Sequence, residues 1–274
     1  MADHQQNGDN NTRHHEKPTI RVVHNLARSG GTLIGKCLGS MQHIALLSEI
    51  HPDAQIALSF NALRQAQNWH GLNKHLNWQQ TPLIDALKII QRHCHQQQQE
   101  IVLRDWSHID YFGMPVTNTP TFEASLINVL QPHFRILCVQ SIRNPVDTWL
   151  SMRRLQLVRQ AKVTPEQFMQ SYLKYLDNTA GGYRLLYENF LETPNKELRQ
   201  ACQHLQLNFD EKYQAKWFEY TNITGDLSNS SSLRKKSIIK PRPRKSVDPD
   251  ILNALKASPA YEKVMQKIPA YDIF

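Results

Sequence analysis

Residues 19–36 read TIRVVHNLARSGGTLIGK. Thr19–Leu26 is dense in apolar and β-branched residues and follows Pro18, which predicts a buried strand. Ala27-Arg28-Ser29-Gly30-Gly31 interrupts it, and from Thr32 to Met41 the residues Leu33, Ile34, Cys37, Leu38 and Met41 recur at helical spacing. A strand, a glycine turn and a helix start together make an anion cradle. The first N–H groups of a helix have no partner within it, and the helix dipole adds partial positive charge there. Gly30 and Gly31 let the backbone approach an anion, Arg28 contributes a full charge, and Thr32 flanks the turn. The expected guest is a phosphate or sulfate group, on a donor rich in phosphate. The plain alternative is a β–α turn whose glycines serve packing.

The same stretch nearly matches the nucleoside-triphosphatase loop GxxxxGK[ST], with Gly30, Gly35 and Lys36 in place. Cys37, however, stands where a hydroxyl should bind Mg²⁺, a cation that wants oxygen. With Arg28–Thr32 as the working part of the turn, Lys36 is expected as an ordinary helix residue.

Strand and helix signals alternate along the rest of the chain. Strands are expected at 43–47, 101–103, 134–142 and 183–187. Helices are expected within 53–71, then at 82–93, 122–130, 146–158, 164–178 and 194–205, with loops at 112–122 and 222–245. This order predicts an α/β fold: a single domain with a mostly parallel central sheet and helices on both faces. Ligands of such sheets bind beyond the carboxyl ends of the strands. The turns Arg28–Thr32, Ser48–Pro52, Arg104–His108 and Arg143–Ser151 all follow strands and should meet there.

Composition narrows the setting. A chain of 274 residues suffices for one α/β domain with a full core. No run of about 18 apolar residues occurs, so no membrane span is expected. Residues 1–18 are polar, lack the apolar stretch of a signal peptide and read as a disordered tail. Cys37, Cys94, Cys138 and Cys202 are widely spaced without a CxxC pair, which reads as reduced thiols of a cytoplasmic protein. Arg92-His93-Cys94-His95 has no second ligand cluster to complete a metal site, and no metal is expected. The net charge is +8, and Arg234, Lys235, Lys236, Lys240, Arg242, Arg244 and Lys245 place seven cations within twelve residues. Such a block wants an anionic partner. It carries none of the aromatic residues that nucleic-acid readers interleave, so it reads as an extended cover for a phosphorylated ligand.

Arg143-Asn144-Pro145-Val146-Asp147-Thr148-Trp149-Leu150-Ser151-Met152-Arg153-Arg154 closes the clearest strand of the chain. Here the sequence resembles the cytosolic-type sulfotransferases, which transfer a sulfuryl group from 3′-phosphoadenosine 5′-phosphosulfate (PAPS). The stretch fits that family's RNPxDxxxSxxR motif at every fixed position, which implies that Arg143 and Ser151 bind the 3′-phosphate. Arg28-Ser29-Gly30-Gly31-Thr32 is similar to its [KR]-S-G-[TS]-T turn for the 5′-phosphosulfate, with Gly31 in place of the hydroxyl residue. Tyr187-Glu188-Asn189, followed by Pro194, Leu198-Arg199, Cys202 and Leu205, resembles a third motif and implies that Tyr187 lies near the adenine. The basic segment with Arg234, Lys235 and Lys236 is similar in place to the loop that closes over the 3′-phosphate. The resemblance covers roughly residues 20–245.

It further implies metal-free, in-line transfer assisted by Arg28, with a general base near a strand end. His108, expected at the end of strand 101–107, and Glu49 in Ser48-Glu49-Ile50-His51-Pro52 are the two candidate bases. Asp105, Trp106, Tyr111 and Trp149 are expected around the acceptor, within a pocket walled by 53–80 and 109–122. The implied acceptor is a hydroxyl or amine of a small molecule, as in natural-product tailoring, with neither nucleic acid nor membrane as partner. An ATP- or GTP-dependent kinase using Gly30–Lys36 and a non-catalytic nucleotide or nucleic-acid binder stand as the other readings.

Overall fold

The computed structural model describes residues 17–113, 115–117, 119–155, 162–178, 182–225, 238–241, 243–244 and 246–271. Its strands are β1 (Thr19–Asn25), β2 (Ile44–Ile50), β3 (Glu100–Asp105), β4 (Arg135–Ile142) and β5 (Tyr183–Leu186). They form one five-stranded sheet in the order β2-β3-β1-β4-β5, with every pair parallel. The chain leaves β1 to lay down β2 and then β3 on one side, and crosses to the other side for β4 and β5. β1 therefore sits at the switch in strand order, where parallel sheets open a crevice at their carboxyl edge.

The helices are α1 (Gly31–Gly39), α2 (Ala62–Trp69), α3 (Leu83–Gln96), α4 (His108–Phe112), α5 (Ser125–Leu130) and α6 (Pro145–Met152). After them come α7 (Pro165–Asp177), α8 (Tyr187–Glu192), α9 (Pro194–His204), α10 (Pro249–Lys256) and α11 (Pro259–Lys267). The strand period of two divides them between the faces. Ile20 and Val22 of β1, Ala45 and Leu47 of β2 and Ile101 and Leu103 of β3 pack with α2, α3 and α5. Val23, Leu46, Val102 and Val139 turn the other way, onto α1, α8 and α9. A third apolar cluster, built on Ile142, α6 and α7, is closed by Leu255, Val264 and Ile268 from α10, α11 and the residue after them. Arg21, a charge inside a strand, is accommodated because its Nε donates to Leu205 O at 2.7 Å, at the carboxyl end of α9, and its Nη1 pairs with Glu100.

The expected fold class is the observed one, and the four turns do share the carboxyl edge. Local departures have local causes. β2 runs on through Ser48 and Ile50, because a register shift lets the extra residue, Glu49, bulge out of the ladder. Only Ala62–Trp69 of the region 53–71 is α-helical: Asn61 caps it by accepting from Arg64 N, and the Gln55 side chain ties down the preceding loop. α6 stops at Met152, ahead of the expected 158. Residues 1–16, most of the polar tail, lie outside the described residues, as do Arg234, Lys235, Lys236, Arg242 and Lys245.

Leu103 is fully buried in the middle of β3. Leu103→Ala is expected to cost about 2–5 kcal/mol of unfolding free energy, read by urea denaturation. A loss below about 1 kcal/mol would contradict its place in the core.

Candidate active site

The first turn is bent by two residues in the left-handed region, Arg28 at φ 69° and Gly30 at φ 99°. Gly30 needs its freedom twice over: a Cβ there would also stand 2.2 Å from the Tyr187 ring. Ser29 is buried. Its hydroxyl donates to Leu26 O at 2.8 Å and its carbonyl accepts from Ser141 Oγ at 2.8 Å, so the side chain shapes the turn and leaves only backbone for a ligand. Gly31 opens α1 against the Asn25 side chain, and Thr32 follows half-buried.

The second turn is built by Asn144. Its Oδ1 accepts from Val146 N (2.9 Å) and Asp147 N (3.2 Å), capping α6, while Pro145 supplies the helical φ of the first position. Asp147 accepts from Arg244 Nε at 3.1 Å. That ion pair ties the end of the basic segment to α6.

The two turns touch. Arg28 Nε donates to Ser151 Oγ at 3.0 Å, and Arg143 Nη1 donates to Arg28 O at 3.0 Å. The Arg143 guanidinium lies 5.2 Å from the centre of the Tyr187 ring, the same ring that covers Gly30. Burial, and then the charges of Arg143 and Arg154, push the Arg28 pKa below the usual arginine range. A cavity of about 450 Å³ lined by Leu150, Arg153, Arg154 and Ser246 opens at the end of α6. Arg28, Gly30, Gly31, Thr32, Arg143, Ser151 and Tyr187 thus form one cationic patch, and an anion is the ligand that relieves it.

The GK match resolves differently. The helix starts at Gly31, so Lys36 lies in its second turn with 3% exposure, a buried residue where an ordinary helix position was expected. Cys37 is fully buried, and burial raises its thiol pKa well above the usual value. Neither stands at the start of the helix, where a nucleoside-triphosphatase loop needs its lysine and hydroxyl.

The candidate bases have unlike surroundings. His108 is the first residue of α4, three residues beyond the end of β3. It is 3% exposed, stacks on Phe112, and neither ring nitrogen has a hydrogen-bond partner among the described residues. Burial lowers its pKa to about 4. Glu49 sits at the β2 bulge with φ 54°, its side chain 14% exposed and paired with Arg104 at 3.3 Å. His51 is buried between Asp110, at 3.0 Å from its Nε2, and Asp53 N, which donates to its Nδ1.

Of the expected acceptor residues, Trp106 is half-buried and stacks near Phe60 at 4.2 Å. Asp105 and Tyr111 are interior. Asp105 Oδ2 lies 2.6 Å from His24 Nδ1, and Tyr111 OH lies 3.4 Å from His24 Nε2. Burial raises the Asp105 pKa, while His24 opposes that shift. Trp149 is buried against Phe168. The sequence reading gave His24 no part, and it named Arg104, Asp147 and Arg244 without foreseeing the Arg104–Glu49 and Asp147–Arg244 pairs. The one signal for His24 and Arg104 is polarity, a His and an Arg inside apolar strands. Among the described residues no group of three metal-ligating side chains occurs, and no helix is long and apolar enough to cross a membrane.

No family model matches the chain, and no curated protein matches it. Solved structures do. The sulfotransferase domain from the olefin synthase of Synechococcus PCC 7002 superposes with a TM-score of 0.65 at 17% identity, covering 95% of this chain and 98% of that one. The sulfotransferase domain from the curacin biosynthetic pathway superposes with a TM-score of 0.64 at 15% identity, covering 94% and 100%. The chain has the sulfotransferase fold.

His108 generates a test of its surroundings. Its folded pKa of about 4 lies below the ordinary 6.5, so the unfolded chain takes up the proton first. The stabilisation is complete above pH 6.5 and is lost as pH falls through 4. Between pH 7 and 4 the wild type is expected to lose about 3 kcal/mol more unfolding free energy than His108→Phe, measured in urea. Equal pH slopes would contradict a buried neutral ring.

Proposed function

On the premise of that fold, we propose that the chain is a sulfotransferase that moves the sulfuryl group of PAPS to a hydroxyl or amine of a small-molecule acceptor. The observation that carries this reading is the contact between Arg28 and Ser151, which merges the two anion turns into one site. PAPS has anionic groups at both its 5′ and 3′ positions and matches a site with two cationic turns. Arg28, Gly30, Gly31, Thr32 and the backbone of Ser29 take the 5′-phosphosulfate. Arg143 and Ser151 take the 3′-phosphate, joined by Arg234, Lys235 and Lys236 of the basic segment. Tyr187, packed on Gly30 and Arg143, offers a ring to the adenine.

The donor supplies an activated sulfuryl group on a phosphate leaving group. The chain's own residues supply charge and a proton acceptor. Arg28, Thr32 and the first N–H groups of α1 bear the negative charge that builds on the leaving phosphate, and no metal is required. Glu49 takes the acceptor's proton. It is partly exposed and stands at the same sheet edge, two strands from β1, or about 10 Å at ordinary strand spacing. His108 is the poorer base, since burial removes both its access and its basicity. Trp106 and Phe60, with exposed Ile56 and Leu58 on the adjoining loop, offer an apolar wall for the acceptor.

The buried positions of Lys36 and Cys37 speak against the kinase alternative. Four buried free thiols fit a reducing compartment such as the cytoplasm. The biosynthetic contexts in the names of the two similar structures support natural-product tailoring as the setting.

The test is transfer from [³⁵S]PAPS to a panel of hydroxyl and amine acceptors. Label should reach at least one acceptor, and Arg143→Ala should raise the donor KM about 10- to 100-fold, the worth of one charge-assisted hydrogen bond. Absence of transfer across the panel, together with turnover of ATP, would favour the kinase.

A further inference from the structure

Arg104 is charged, on the strand next to β1, and only 3% exposed. A buried guanidinium needs its donors met and its charge opposed. Its Nε and Nη2 donate to Ser48 Oγ at 3.1 and 2.8 Å, and its Nη2 donates to Thr224 O at 2.8 Å. Its carboxylate partner is Glu49, whose Oε1 lies 3.3 Å from Nη2. Asp105, the next residue along β3, is turned instead to His24.

Glu49 is held through its backbone, by Arg104 and beside Gly225. It is the extra residue of the bulge, since Ser48 pairs with Arg104 and Ile50 with Asp105. Its φ of 54° is a conformation that is costly for a non-glycine residue and persists only where the surroundings enforce it. The Thr224-Gly225 turn is part of that enforcement. Thr224 N and Oγ1 both lie within hydrogen-bond distance of Ser48 Oγ, at 3.1 and 3.0 Å. Gly225 leaves room for the carboxylate, because a Cβ there would stand 2.3 Å from Glu49 Oε1. From the other side, a Cβ on Gly35 of α1 would stand 3.3 Å from Arg104 Cδ. The bulge, the 224–225 turn and the helix of the anion cradle thus meet around one guanidinium.

We propose that Arg104 is the positioning residue of this site, clamping the Glu49 carboxylate in its strained bulge so that it meets the acceptor's proton. This rests on the sulfotransferase reading, with Glu49 as base. Ser48 and Thr224 fix the guanidinium, and the guanidinium fixes the base. Arg104 does not touch the reacting atoms; it acts through Glu49.

The test is a double-mutant cycle read by release of [³⁵S]sulfate from PAPS, with water as the probe acceptor. In that reaction the water oxygen bonds to sulfur and Glu49 takes the water proton. The bridging S–O bond breaks, and its electron pair leaves with the 5′-phosphate. Arg104→Gln is expected to lower kcat about 100-fold, the scale of a misplaced general base, with the donor KM within about threefold of wild type. Arg104→Lys, which keeps charge without the fork, should recover about tenfold of that loss. In a Glu49→Gln background, Arg104→Gln should change kcat by less than about threefold, because the group it positions is gone. A merely structural arginine gives the same loss in both backgrounds, and that result overturns the proposal, as does an unchanged kcat or a loss confined to KM. If Arg104→Gln fails to fold by circular dichroism, Arg104→Lys takes its place in the cycle, with a loss of about tenfold expected in the wild-type background and less than about threefold in Glu49→Gln. A wild-type chain that releases no sulfate and binds no 3′-phosphoadenosine 5′-phosphate overturns the sulfotransferase reading, and this proposal with it. An active wild type with additive losses overturns this proposal alone.

Discussion

Two arginines of like charge are brought together at the switch point of the sheet. Arg28 leans on Ser151, and its own carbonyl accepts from Arg143. β1 and β4 are paired in register to their ends, Asn25 opposite Ser141, so the turns that follow them emerge side by side. Ser141 then fixes the Ser29 carbonyl from below, and the Tyr172 hydroxyl holds the Arg143 carbonyl. The cradle is therefore set by strand pairing before any ligand arrives. Its positive charge, only loosely opposed by Glu188, is what favours an anion there.

The molecule spends its carboxylates around this patch selectively. Glu188 accepts from Asn144 N and lies 3.9 Å from Arg143 Nε, a loose contact that steadies the turn without cancelling its charge. Asp147 is committed to Arg244, and Asp105 to His24 in the interior. None of these acids accepts a hydrogen bond from Arg28 in the described structure. The cradle keeps its field where a transferring group would develop negative charge, and Glu49, the proposed proton acceptor, stands two strands away on β2.

The fold was legible because its signals are local. Apolar β-branched runs, helical spacing and capping residues such as Asn144 and Thr164 act within a few residues of themselves. The strand end and helix start at Arg143–Ser151 were legible for the same reason, whereas the phosphate-binding role of Arg143 and Ser151 was only implied by the family resemblance. The Glu49 bulge was not. A left-handed glutamate carries no sequence mark, and it is held by Arg104 and by a turn some 176 residues downstream of Ser48. His108 was expected at a strand end, but the chain turns at Trp106-Ser107 into a buried helix whose surroundings come from Phe112 and α7. α10 and α11 went unread because their short apolar faces acquire meaning only against Phe168 and Tyr172 of α7.

On the proposed reading, the joined turns bind a nucleotide phosphorylated at its 3′ and 5′ positions, without metal. Calorimetric titration with 3′-phosphoadenosine 5′-phosphate against ATP and Mg²⁺ decides it most directly. Saturable 1:1 binding of the bisphosphate is expected, unchanged by EDTA and weakened at least about tenfold in Arg28→Ala. Tight binding of ATP and Mg²⁺ with no binding of the bisphosphate would contradict it.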